Sequence, residues 1–327
     1  LPAVLYFTGI FIAVHLEAKK LGLKGLSKDE MPKWADLGKK IYLLAPLVLL
    51  VWLVSSGAKT MQFSAAVSIL AAVIVGFLNK DERLTFKKIF EALEAGAKGA
   101  ITVAVACAIA GMIAGCITVT GLASILINAI VQLAGSATFI GLILTMVCCI
   151  VLGMGVPTTA NYCIMASTCA PILIKMGFPL VAAHFFVFYF GIVADITPPV
   201  ALAAYAGSAI AKGNPMKTGI NATKLAIAAF IVPYIFAYSP AMLFVNVTSV
   251  WEVIQIVLSA LLGIFGVAAG LEGFVLRKMN WLYRIVCLVG GLGLMIPGAI
   301  SDLVGLVLIG GVFVIQYLQN KKEREIA

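Results

Sequence analysis

Eleven apolar runs, near residues 1–16, 41–56, 63–78, 99–134, 138–152, 163–174, 178–211, 221–245, 251–276, 281–297 and 301–319, leave little of this chain for anything but buried helix. Several are too short or too long for one span of about 20 residues. With 62% hydrophobic residues in 327 and a mean hydropathy of +1.11, the chain lies far above the apolar content of water-soluble domains, about 45–50%. This is the composition of a polytopic integral membrane protein, with room for roughly ten spans or their half-length equivalents. A single-pass anchor on a soluble domain is excluded.

The net charge of +9 does not point to nucleic acid. Lys and Arg fall in short segments between apolar runs, with no basic patch interleaved with aromatics. They read as topology instead. The segment with Lys19, Lys20, Lys24, Lys28, Lys33, Lys39 and Lys40, and the one with Lys80, Arg83, Lys87, Lys88 and Lys98, are expected on the cytoplasmic side. The same rule puts the loop with Lys212, Lys217 and Lys224, the cluster Arg277, Lys278 and Arg284, and the tail NKKEREIA inside. Residues 246–250 and PGAISD then fall outside. Residues 84–100 carry Ile89, Phe90 and Leu93 on one face and charges on the other, which fits an interfacial helix. A cytoplasmic extension of the next span fits equally well.

Chemistry-bearing residues are few. Seven cysteines form no CxxC pair, and Cys107, Cys116, Cys148, Cys149, Cys163 and Cys287 sit in apolar runs as packing residues. No P-loop and no HExxH occur, and with only His15 and His184 there is no material for a metal or nucleophile triad; no cofactor is expected. His15 stands at the basic end of a span. His184 precedes Asp195 by 11 residues, about 16 Å along a helix, too far for direct pairing. Asn128 and Gln132, one turn apart, suit hydrogen bonds between helices. The opening LPAVLYFTGIF has neither Met nor basic n-region and does not read as a signal peptide; it fits a chain with a further part upstream.

Two polar interruptions stand out. Connecting Lys98 to Lys212, both inside, requires 99–134 to run outward with a break at TVTG, 138–175 to enter and return as a hairpin, and 178–211 to run inward with a break at DITPP. Hairpin halves of roughly 12–15 residues reach only about 20 Å, short of a hydrocarbon core of about 30 Å. The hairpin tip is GMGVPTTANY, residues 153–162. Non-helical backbone at that depth survives only where protein, water or a ligand satisfies its polar groups. Gly153 and Gly155 permit unusual backbone, Pro157 ends the first half-helix, and Thr158, Thr159 and Asn161 are residue types that cap the second. One half-helix offers unpaired carbonyls to a cation, the other unpaired N–H groups to a carboxylate. In ADITPPVALAAYAGS, residues 194–208, the first half ends near Asp195, and Thr197, Pro198 and Pro199 are expected to open the second half. Asp195 costs roughly 2.5–3.5 kcal/mol near a bilayer centre on insertion scales, so it reads as part of an ion site, with a helix cap as the alternative. Two broken elements meeting near the midplane are the pattern of a secondary transporter.

LGMGVPTTANYCIMASTCAPILIKMG followed by FGIVADITPPVALAAYAGSAIAKGNP resembles the large membrane subunit of tripartite ATP-independent periplasmic (TRAP) transporters, specifically the fused-permease type paired with TAXI-type binding proteins. The resemblance extends over residues 1 to about 245 and takes this chain as the C-terminal part of such a permease. It implies an all-α, elevator-type secondary transporter built from inverted repeats, of which the second hairpin is present here and the first hairpin is not. A periplasmic binding protein would deliver an organic acid to a multi-pass permease in a bacterial or archaeal inner membrane. A coupling ion, commonly sodium, would drive uptake. Gly153, Gly155, Pro157, Asp195, Thr197, Ala206 and Gly207 are then expected at the ion, and Thr158, Thr159, Asn161, Pro198 and Pro199 at the substrate. The expected organisation is 1–98 as linking spans and basic loops, 99–245 as the second transport repeat, and 246–327 as an accessory transmembrane region. Proton coupling, or a channel-like or scaffolding subunit, are the alternatives; an intramembrane protease lacks its residues.

Overall fold

In a computed structural model, residues 1–23, 25, 31, 34–57, 59–79, 84–135, 137–199, 201–296 and 298–326 are described. Lys24, Lys28, Lys33, Lys80 and Arg83 of the basic loops, and Pro297, lie outside the described residues. Among the described residues the structure is helical, without a β-sheet. The helices are α1 (Pro2–Lys20), α2 (Trp34–Lys40), α3 (Ala45–Ser55), α4 (Met61–Leu78), α5 (Phe86–Val119), α6 (Leu122–Ala134), α7 (Thr138–Gly153), α8 (Thr158–Thr168), α9 (Ala170–Lys175) and α10 (Leu180–Val193). They continue with α11 (Leu202–Ala211), α12 (Pro215–Leu225), α13 (Ile227–Tyr238), α14 (Val250–Glu272), α15 (Trp281–Gly293) and α16 (Ala299–Ile326).

Five stretches are long and apolar enough to cross a membrane: 37–55, 61–78, 215–238, 250–272 and 300–321. The segments Gly111–Ile117 and Leu122–Ala134, bent by 68°, make a sixth if they form one span. That bend sits at TVTG, where Gly121 adopts φ +70° and the Thr120 hydroxyl donates back to the Cys116 carbonyl at 2.7 Å. Thr138–Gly153, Leu180–Ile196 and Trp281–Gly293 are shorter apolar helices, as the half-span argument requires of the first. Residues from Phe86 onward belong to the continuous helix α5, so the segment 84–100 extends the following helix.

Two compact units result. Lys24–Ala104 form one; Leu1–Leu23 join Val105–Ala327 in the other, with the accessory helices included in it. In the larger unit α10 is central, because its apolar residues point all round: Phe186 and Phe190 are fully buried, edge-to-face at 4.8 Å, and both meet Tyr234 of α13. Helices α14, α15 and α16 approach through glycine. A methyl on Gly263 would stand 2.8 Å from the Gly291 carbonyl, and one on Gly305 2.6 Å from the Gly290 carbonyl. Such backbone proximity is how helices associate where lipid removes the hydrophobic drive.

Candidate functional site

The stretch 138–175 is a hairpin. A methyl on Gly141, near the start of α7, would run into the side chain of Met176, which follows α9, and Cys169 lies 3.6 Å from Cys148. Thus α8 and α9 return alongside α7. The turn occupies residues 154–157, where Gly155 has φ +72°. The residue preceding α8 is Pro157, and no side chain caps this helix. Thr158 and Thr159 therefore do not cap it: they lie in its first turn, exposed.

Asn161 does not cap it either. It is 2% exposed, and its Nδ2 donates to the Gly191 carbonyl of α10 at 2.7 Å, with a longer contact of 3.5 Å to the Gly153 carbonyl. Glycine is required at both partners. A methyl on Gly153 would sit 2.9 Å from Asn161 Nδ2, and one on Gly191 2.9 Å from Asn161 Oδ1. The amide thus locks the hairpin tip to the end of α10. Its Oδ1 is buried and accepts no hydrogen bond from the described residues.

At the second break, α10 passes through a 310 turn, Ala194–Ile196, and α11 starts only at Leu202. The prolines are therefore in the break and not in the first turn of α11; Ala201, left-handed at φ +35°, precedes the helix, so Asp195 is no cap for it. The exposed chain is held by side chains: Thr197 Oγ1 donates to the Val193 carbonyl at 2.7 Å, Tyr205 OH to the Pro199 carbonyl at 2.7 Å, and Thr223 Oγ1 to the Ile196 carbonyl at 3.0 Å. Pro198 packs beside Gly219 of α12.

The two breaks share a cleft of about 450 Å³ lined by Gly155, Val156, Pro157, Asp195 and Ala203. Of the residues expected at the ion, Gly155, Pro157 and Asp195 come together there, with Gly153 buried behind. Thr197 is half-buried, while Ala206 and Gly207 are exposed on α11 and outside the cleft lining. Of those expected at the substrate, Thr158 and Thr159 directly follow lining residue Pro157; Asn161 is buried in the lock, and Pro199 is exposed.

The sequence model of the DctM component of the tripartite ATP-independent periplasmic transporter matches residues 1–251. The chain belongs to the DctM family. It is a TRAP transporter permease component, a multi-pass integral membrane protein and not an enzyme. No curated protein and no solved structure matches it. Both breaks of this DctM chain fall inside the matched region, and α15 and α16 fall outside it.

Several residues escaped the sequence reading. Gly191 carried a signal, a glycine in a dense apolar helix four residues before Asp195. Thr223 and Tyr205 carried none, since their partners are fixed only by the fold. His184 does have a partner, the Tyr162 hydroxyl 2.9 Å from its Nδ1, so it is engaged at the hairpin rather than with Asp195. Asn128 accepts from Lys175 Nζ at 2.6 Å, joining α6 to α9 as an interhelical bond. Cys116 and Cys163 are exposed, so packing does not account for them.

Proposed function

We infer that this DctM chain serves uptake of an organic acid, handed over by a periplasmic binding protein of the TAXI type, across a bacterial or archaeal inner membrane, with sodium as the coupling ion. The observation that carries the reading is the shared cleft, where the tip of the hairpin faces Asp195 and the first turn of α11. Around it the poles of four half-helices converge. The first N–H groups of α8, uncapped by any side chain, suit a carboxylate, with Thr158 and Thr159 beside them. Asp195 and Ala203 form the opposite wall, and Thr197, Pro198 and Pro199 lie in the break between them in sequence.

The cation belongs on the other side of the tip. The Gly153 and Gly191 carbonyls accept from the Asn161 Nδ2, which leaves the Asn161 Oδ1 with lone pairs and no donor among the described residues. A buried acceptor without a donor is what an ion satisfies. Hard oxygen ligands of this kind suit sodium, and Gly153 and Gly155 keep the backbone free of side chains around it. Asp195, half-buried on the cleft, supplies the compensating charge. The same carboxylate supports a second reading, in which it carries a proton in place of sodium.

Reconstitution of the permease with its binding protein in liposomes tests this, using a panel of radiolabelled dicarboxylates, oxo acids and sugar acids under imposed sodium or proton gradients. Sodium-driven uptake of at least one solute is expected, reduced tenfold or more by Asp195→Asn and by Thr158→Ala. Uptake and ion dependence unchanged in both variants would overturn the site.

A further inference from the structure

Helix α12 has one residue on the second break and the next on the accessory helices. Thr223 Oγ1 donates to the Ile196 carbonyl at 3.0 Å, with a shared bond to the Gly219 carbonyl at 3.1 Å. Gly219 seats the same break, since a methyl there would stand 3.3 Å from Pro198 Cγ and 3.4 Å from Ala201 Cβ. Lys224, about 100° further round the helix, turns away from the break. Its Nζ is 2.6 Å from Oε2 of Glu272, the last residue of α14 and 3% exposed. Lys20 of α1 approaches the same oxygen at 3.6 Å and also pairs with Glu17 at 2.9 Å.

A buried ion pair is weak as a source of net stability, because desolvation of both ions offsets their attraction; its best-attested use is to fix register. Here the register fixed is that of α12. With Lys224 drawn onto Glu272, neither rotation nor sliding of α12 is free. The Thr223 hydroxyl is then held against the carbonyl of Ile196, the residue next to Asp195.

We propose that Lys224 and Glu272 are positioning residues for the transport site: the ion pair clamps α12, and α12 holds Asp195 and the second break at the cleft. This gives the end of α14, beyond the region matched by the family, a role in setting the site, and it rests on reading that cleft as the site. Lys224 and Glu272 touch neither solute nor ion.

The test reads the geometry of the break directly. Ala203 is exposed on the cleft, so in the full-length permease carrying Ala203→Cys the rate of modification of residue 203 by a small methanethiosulfonate reagent is followed by peptide mass spectrometry, in choline chloride without solute. Lys224→Met and Glu272→Gln are expected to raise the rate at least threefold, Thr223→Val to do the same, and Lys224→Arg to restore it. Arg284→Gln removes bonds to the Gly270 and Leu271 carbonyls of α14 without touching α12, and is expected to lower thermal stability with the rate unchanged. In sodium-driven uptake, Lys224→Met raises the half-saturating sodium concentration severalfold and leaves the maximal rate within twofold. A Thr223→Val rate within twofold of the parent, or an Arg284→Gln rate raised as much as that of Lys224→Met, overturns the proposal. Absence of sodium-driven uptake in the unmodified protein would count against the transport reading alone, since labelling needs neither ion nor solute.

Discussion

At the hairpin tip the backbone turns over residues 154–157, and a single buried amide, Asn161 of α8, reaches the carbonyls of Gly153 in α7 and Gly191 in α10. At the second break residues 197–199 and 201 are non-helical, and the break is held from outside, by Tyr205 one turn on and by Thr223 of α12. The difference follows from what surrounds each. The tip is packed on α10, so its polar groups must be satisfied within a closed space where even a methyl at Gly153 or Gly191 does not fit. The second break has an exposed edge at Pro199, and its carbonyls are reached by half-buried side chains of α11 and α12, Tyr205 and Thr223. In the function proposed above, the closed, amide-locked side of the tip takes the small ion and the open cleft between the two breaks takes the larger solute.

This contrast is broken most severely by Asn161→Leu. The Gly191 carbonyl loses its donor in a buried setting, which costs about 1–3 kcal/mol. Thermal unfolding in detergent should shift accordingly, and uptake should fall at least tenfold. Gly153→Ala pushes a methyl against the same amide and should cost about 1–3 kcal/mol by overpacking, with the same loss of uptake in liposomes. At the second break the signs and sizes differ. Ala201 is left-handed without being glycine, a conformation costing roughly 1–2 kcal/mol, so Ala201→Gly should raise the unfolding temperature even after the entropy of glycine is subtracted. Tyr205→Phe removes a hydrogen bond at the exposed edge and should change stability by no more than about 0.5 kcal/mol in the same assay. A large effect of Tyr205→Phe, or a small one of Asn161→Leu, would erase the distinction between the breaks.

Glycine and proline in dense apolar sequence announced the breaks because both residues disturb helix wherever they fall. Thr120–Gly121, residues 153–157 and residues 195–199 were all legible on that ground. What sequence could not give was the side on which each polar residue acts. Asn161 reads as a capping type, yet Pro157 takes the position before α8 and the amide is spent on Gly191, thirty residues away in sequence. Pro198 and Pro199 read as a helix start because proline favours the first turn, but α11 waits until after the left-handed turn at Ala201. Thr223 was invisible: its partner is chosen by how α12 packs, which no local pattern encodes. The charge pattern told of loops, and gave no hint that Lys224 would be drawn onto a buried Glu272.

Sodium binding by the permease measured with 22Na in a scintillation proximity assay, on the parent, Asn161→Ala and Tyr205→Phe proteins, bears on the central claim most directly. Saturable binding should be present in the parent, retained in Tyr205→Phe and lost in Asn161→Ala. Binding of sodium by a folded Asn161→Ala protein with the parent's affinity would contradict a cation held at the amide-locked tip.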